Sequence, residues 1–123
     1  MTKKILIVED DKDSRFILSA QVRLIGYEPV EAATPADAIT KAAAENPGLI
    51  LMDLAMPGMT GIDVAKKLKQ DPNTAHIPII AYTAWDGDRW RNPALNAGMV
   101  GYLVKPVTPE RLKSTIEKFM RTQ

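Results

Sequence analysis

Leu49-Ile50-Leu51-Met52-Asp53 is the stretch on which the rest of the chain is organised. Four apolar residues run into one carboxylate, between the turn signals Asn46-Pro47-Gly48 and Met56-Pro57-Gly58. A short, unbroken apolar run between turns is the pattern of a strand buried on both faces. Asp53 falls at its carboxyl end, the edge of an open parallel sheet where ligands and chemistry collect. A lone aspartate there ordinarily caps a turn or helix. Two further features argue for more: Glu9-Asp10-Asp11 after a first strand, and Thr83 and Lys105-Pro106, each closing a later one.

Working outward, the 123 residues are expected to form one domain spanning 1–123. That length supports a core without staples. No cysteine is present, which excludes disulfides and thiolate zinc sites. Sixteen basic against fifteen acidic residues give a net charge of +1, no electrostatic footprint for nucleic acid or a membrane surface. Ile5-Leu6-Ile7-Val8 is too short for a signal-peptide core and runs straight into acids. No stretch approaches the ~20 apolar residues of a membrane span. The expectation is a soluble, cytoplasmic protein.

Ile5–Val8 reads as the first strand. Asp13-Ser14 can cap the next helix, whose stripe is Leu18, Val22 and Ile25 and whose end is Gly26 in a left-handed conformation. Glu28–Ala32, of mixed polarity, reads as an edge strand. Thr34-Pro35-Ala36-Asp37 opens an alanine-rich helix running to about Asn46. Thr60-Gly61-Ile62-Asp63 opens another, with Ile62, Ala65 and Leu68 inward, ended by Asp71-Pro72-Asn73. Ile77–Tyr82 and Val100–Val104 read as strands four and five, with Pro78 tolerated near a strand start. Thr108-Pro109-Glu110 caps a last helix with the stripe Leu112, Ile116 and Phe119. Between strands four and five, Asp86–Pro93 has poor helix character. Proline inside a helix costs ~3 kcal/mol, so this segment is expected to be irregular, with any helix starting near Pro93.

Five strands alternating with helices predict right-handed βαβ units and a doubly wound α/β parallel sheet, helices on both faces. Five strands favour the order 2-1-3-4-5, whose switch point lies between strands one and three. Those strands end in Glu9-Asp10 and in Asp53, so topology and acid placement agree. Carboxylates gathered at one edge repel and raise each other's pKa. A hard divalent cation removes that repulsion, and Mg²⁺ suits a few carboxylates, a backbone carbonyl and retained waters.

Four stretches together carry a family resemblance: Ile5-Leu6-Ile7-Val8-Glu9-Asp10, Leu51–Gly61 with its Met56-Pro57-Gly58-Met59-Thr60-Gly61, Thr83-Ala84, and Tyr102-Leu103-Val104-Lys105-Pro106. Over essentially its whole length the chain resembles the receiver domain of two-component response regulators, a flavodoxin-like fold, in the stand-alone type similar to chemotaxis regulators. The resemblance implies that Asp53 accepts a phosphoryl group from a histidine kinase or phosphotransfer protein. It implies Mg²⁺ held by Glu9 and Asp10, with Asp10 the direct ligand, by Asp53 itself and by the Ala55 carbonyl. Thr83 becomes the switch hydroxyl, Lys105 the phosphoryl-binding ammonium and Tyr102 the switch aromatic, with a cis Lys105–Pro106 bond. Such a protein is a monomer or weak dimer. It is no turnover enzyme, though it catalyses its own phosphorylation and dephosphorylation. It signals to a downstream protein through the face of strands four and five and the last helix, or else serves as a phosphate sink or relay step. No nucleic acid or membrane partner is implied.

The chemistry is consistent on its own terms. Phosphoryl transfer asks for an in-line nucleophile, here the Asp53 carboxylate, and for cationic charge on the equatorial oxygens. Some features depart from the family pattern: Val100-Gly101 precedes Tyr102 where acids are common, and Trp85 and Ala55 fill the positions that tune phosphoryl lifetime. Trp85 and Trp90 are expected to anchor an irregular loop, or, for Trp90, a partner. His76, the only histidine, reads as structural. A haloacid-dehalogenase-like phosphatase would place its nucleophile after the first strand with a second aspartate two residues on, where Asp53 is followed by Ala55. A flavin-binding module would need a Ser/Thr/Gly-rich phosphate loop where Glu9-Asp10-Asp11 would repel the phosphate.

Overall fold

A computed structural model describes residues 3–120; residues 1–2 and 121–123 of the expected domain lie outside them. Strands and helices alternate throughout. They are β1 (Lys4–Val8), α1 (Lys12–Ile25), β2 (Glu28–Ala32), α2 (Pro35–Glu45), β3 (Leu49–Met52), α3 (Gly61–Gln70), β4 (Ile79–Thr83), α4 (Asp88–Asn96), β5 (Gly101–Val104) and α5 (Pro109–Met120). The five strands form one parallel sheet ordered β2-β1-β3-β4-β5, as the strand count predicts. No helix among the described residues is long and apolar enough to cross a membrane.

Strand alternation builds two cores. Leu6, Val8, Ile50, Met52, Ile79 and Ala81 point to one face, where α2, α3 and α4 supply Ala38, Ala42, Val64, Leu68 and Ala94. Ile5, Ile7, Leu49, Leu51 and Ile80 point to the other, where α1 and α5 supply Leu18, Val22, Leu112 and Ile116. Each fully buried aliphatic side chain contributes ~1.5–3 kcal/mol, so both faces of the central strands are anchored. β3 is buried at all four positions, as its unbroken apolar run requires.

The helix boundaries follow side-chain caps. Thr34, Thr60 and Thr108 each accept a backbone N–H from three residues on. Gly26 (φ 110°) closes α1 in the left-handed region, as expected. At the start of α1 the cap is Asp11 rather than Asp13-Ser14: its carboxylate accepts the Ser14 N–H at 2.8 Å. Asp13 instead lies in the first turn. In α5 the buried stripe ends on Met120, while Phe119 is only partly buried. The fourth and fifth strands begin at Ile79 and Gly101, later than Ile77 and Val100.

The segment expected to be irregular is a helix. α4 runs from Asp88 with Pro93 inside it, and its cap is Gly87 (φ 101°), which supplies no side-chain bond. Pro93 forfeits one i→i−4 bond, but tertiary packing outweighs that loss. Trp90 stacks on Trp85 with ring centroids 4.2 Å apart, and both pack against the core. Ala94 is fully buried one turn on. The Arg89 guanidinium covers the Trp90 ring at 4.8 Å.

Candidate functional site

Parallel register delivers the acids to one edge. Val8 pairs with Met52, so the residues that follow, Glu9 and Asp53, leave adjacent strands at the same level. The Asp53 N–H donates to the Val8 carbonyl at 3.0 Å and the Glu9 N–H to the Ala32 carbonyl at 3.1 Å. Across the sheet Thr83 pairs with Val104, and the Lys105 N–H donates to the Thr83 carbonyl at 2.8 Å. The start of α3 presses against this edge from behind. A Cβ on Gly61 would lie 2.3 Å from the Asp53 carbonyl oxygen, so only glycine allows that approach.

Asp53 is nearly buried, and both carboxylate oxygens are held. Oδ1 accepts the Ala55 N–H at 3.1 Å, and Oδ2 lies 3.3 Å from the Lys105 ammonium. The same ammonium lies 2.5 Å from Glu9 Oε1. Glu9, Asp10 and Asp53 each offer an oxygen within 4.8 Å of the others, with Asp10 exposed and the other two buried. Hard oxygens from three carboxylates, served by one lysine, fit a hard divalent cation such as Mg²⁺. The Lys105–Pro106 bond is cis.

The electrostatics carry the same imbalance. Burial raises the Glu9 pKa, the Asp53 charge adds to this, and the hydrogen bond from Lys105 offsets only part. Burial pulls the Lys105 ammonium down, yet hydrogen bonding to Glu9 and the Asp53 charge outweigh it, so its pKa is raised and it stays charged.

Thr83 is fully buried beside the site, and its Oγ1 accepts the Trp85 N–H at 3.2 Å. The Trp85 carbonyl accepts the Tyr102 hydroxyl at 2.5 Å. One residue, Trp85, thus touches both Thr83 and Tyr102 through its backbone. His76 is exposed and remote from these groups, its ring bonded to Asn46 Oδ1 at 3.1 Å.

Two residues here escaped the sequence reading. Arg15 donates to the Glu9 carbonyl at 2.9 Å and pairs with Glu31 at 3.0 Å, pinning the acidic loop to α1 and β2. Its signal is its place at the end of the first turn after the Asp11 cap, where a long side chain can fold back over the loop. Gly61 is expected only as part of a helix start and of the Leu51–Gly61 family stretch, without a packing role; a glycine directly after a threonine cap, where most residues are better helix formers, is the clue.

Residues 5–117 match the family model for the response regulator receiver domain. The polar-differentiation response regulator DivK of Brucella ovis is 34% identical over 122 residues, 98% of each chain. The response regulator PleD of Caulobacter vibrioides is 36% identical over 121 residues, 98% of this chain; the chain spans only 27% of PleD's length. Among solved structures, the chemotaxis protein CheY4 of Vibrio cholerae superposes with a TM-score of 0.91 at 29% identity, covering 97% of this chain and 99% of that one. The receiver domain of the sensor histidine kinase PA1611 of Pseudomonas aeruginosa, solved with magnesium in its active-site cleft, gives 0.88 at 30%, covering 98% and 99%. Sheet order and sequence match agree over nearly the whole chain, which therefore belongs to the response regulator receiver family.

Proposed function

We propose that Asp53 accepts a phosphoryl group from the phosphohistidine of a kinase or phosphotransfer protein, and that the change is passed through Thr83 and Tyr102 to the β4–β5–α5 face. The observation that carries this reading is the Lys105 ammonium set between Glu9 and Asp53 at the switch point of the sheet. It supports a site built to receive negative charge beside a carboxylate nucleophile.

In this reading an Asp53 carboxylate oxygen attacks phosphorus in line. The new P–O bond forms as the donor's P–N bond breaks, and the donor histidine keeps the electron pair and takes up a proton. Glu9, Asp10, Asp53 and the Ala55 carbonyl would hold Mg²⁺, which supplies charge neutralisation for the incoming oxygens. Lys105 stays protonated and shares that task. Ala55 N–H and Lys105 fix the carboxylate orientation, the positioning on which phosphoryl transfer chiefly depends. Thr83 then exchanges its bond with the Trp85 N–H for one to a phosphoryl oxygen, and Tyr102 responds through the shared Trp85 backbone. The protein catalyses its own phosphorylation and later hydrolysis and turns over no separate substrate. It acts as a monomer or weak dimer, in the cytoplasm, on a downstream protein.

Incubation with acetyl phosphate, with and without Mg²⁺, tests the reading. The intact mass should rise by one phosphoryl group only when the metal is present. An unchanged mass in saturating Mg²⁺, or equal gain after chelation, would overturn it.

A further inference from the structure

Alternation along the strands puts a tyrosine ring on the same side of the sheet as the charged groups. Ile7, Leu51, Ile80 and Leu103 all belong to the core on the α1 and α5 side. Two residues further along each chain, that parity falls on Glu9, Asp53, Tyr82 and Lys105. Tyr82 pairs with Leu103 in the β4–β5 ladder, so its ring sits at the level from which Lys105 departs. The Lys105 ammonium lies over the Tyr82 ring, 5.3 Å from its centroid. The same ammonium is 2.5 Å from Glu9 Oε1 and 3.3 Å from Asp53 Oδ2. The Lys105 side chain is only 24% exposed, a partly desolvated setting that strengthens a cation–π contact. Tyr82 is half-buried and packs against the α1 and α5 core, which holds the ring in place. Burial raises its phenol pKa, with the Lys105 charge opposing, so the ring faces the ammonium as a neutral group.

We propose that Tyr82 is a positioning residue for Lys105: the face of its ring holds the ammonium beside Asp53 while its N–H groups turn to phosphoryl oxygens. An aliphatic side chain at this place in β4 would offer the ammonium no attraction. A carboxylate would bind it firmly, compete with the incoming oxygens and add to the repulsion among the acids. A ring face attracts the cation more weakly than a charged oxygen does and fixes no single N–H direction. The ammonium can therefore exchange its oxygen partners without leaving the site. The purpose of the contact rests on the phosphoryl reading of Asp53; its geometry stands on the ring and the ammonium alone.

Titration with beryllofluoride, a mimic of the phosphoryl group, in Mg²⁺ tests this on the full chain. Tryptophan fluorescence follows binding, since the Trp85 N–H is bonded to Thr83 beside the site. Tyr82→Phe keeps the ring face and should restore wild-type affinity. Tyr82→Leu should bind about five- to tenfold more weakly, the loss of one partly desolvated cation–π contact. Phenylalanines carrying progressively more ring fluorines in place of Tyr82 keep shape and packing while draining charge from the ring face. Affinity should fall stepwise along that series, whereas a role in packing alone would leave it flat. The NMR resonance of the Lys105 ε-methylene gives a readout that needs no mimic. Ring current should displace it in wild type and Tyr82→Phe and release it in Tyr82→Leu. A flat fluorine series, equal affinity in Tyr82→Leu and Tyr82→Phe, or one resonance position in all three proteins would each overturn the proposal. Binding of beryllofluoride with a flat series sinks the ring's role alone. A displaced resonance in a wild type that binds no beryllofluoride sinks the phosphoryl reading and leaves the ring's hold on Lys105 standing.

Discussion

Trp85 and Trp90 stack with ring centroids 4.2 Å apart, so the loop that leaves β4 is tied to the first turns of α4 by one aromatic contact. This pair replaces what the local sequence withholds. Gly87 gives α4 no side-chain cap and Pro93 removes one of its hydrogen bonds. Trp90 is half-buried, packed on the core cluster, which makes it a structural anchor of this helix. Trp90→Ala is therefore expected to destabilise the fold by about 2 kcal/mol, less than a fully buried tryptophan would cost, with phosphoryl uptake retained. Urea denaturation together with intact-mass phosphorylation checks both halves; unchanged stability would remove the anchor role.

Gly61 permits α3 to lie against the strand end that carries Asp53. Gly61→Ala puts a methyl group 2.3 Å from the Asp53 carbonyl oxygen, and backbone must move to admit it. The expected loss is about 1–3 kcal/mol, an overpacking cost. Phosphoryl uptake should slow as well, because the displaced element carries Asp53, the proposed nucleophile. A variant with wild-type stability and rate would show that the contact is relaxed without consequence.

Asp10 is the exposed member of the acid cluster, so its loss should spare the fold and strike the metal. Asp10→Asn is expected to weaken Mg²⁺ binding by about tenfold or more, with the melting temperature in chelator unchanged. Titration of Mg²⁺ against phosphorylation rate reads the first, thermal unfolding the second.

Asp11 titrates in a predictable direction. Bonding from the Ser14 backbone N–H holds its carboxyl below the usual aspartate value of 3.8. A folded-state pKa depressed in this way adds stability that is complete above the unfolded value and is lost as pH falls through the folded one. The melting-temperature gap between wild type and Asp11→Ala should thus be constant at neutral pH and narrow below about pH 4. A gap that widens on acidification would contradict the capping assignment.

Much of this was legible in the chain because burial wrote it there. The apolar run Leu49–Met52 could only be a strand buried on both faces, and it fixed Asp53 at a sheet edge. Caps at Thr34, Thr60 and Thr108 were readable because a threonine three residues before a helical N–H acts locally. α4 was illegible for the opposite reason: its propensity is poor, and what holds it is the stacking of Trp90 on Trp85 in the preceding loop and the packing of both on the core. The substitution of Met120 for Phe119 in the α5 stripe is a shift of one residue in phase, which a short apolar pattern does not fix. Arg15 was missed because its role depends on where α1 turns over the acidic loop.

Asp53 is the proposed acceptor of the phosphoryl group. After treatment with acetyl phosphate and Mg²⁺, borohydride reduction converts an aspartyl phosphate to homoserine, and peptide mapping locates it. Homoserine at position 53 in the wild type, and no phosphoryl gain in Asp53→Asn, is the result expected here. Homoserine at another acid, or equal mass gain in wild type and Asp53→Asn, would contradict it.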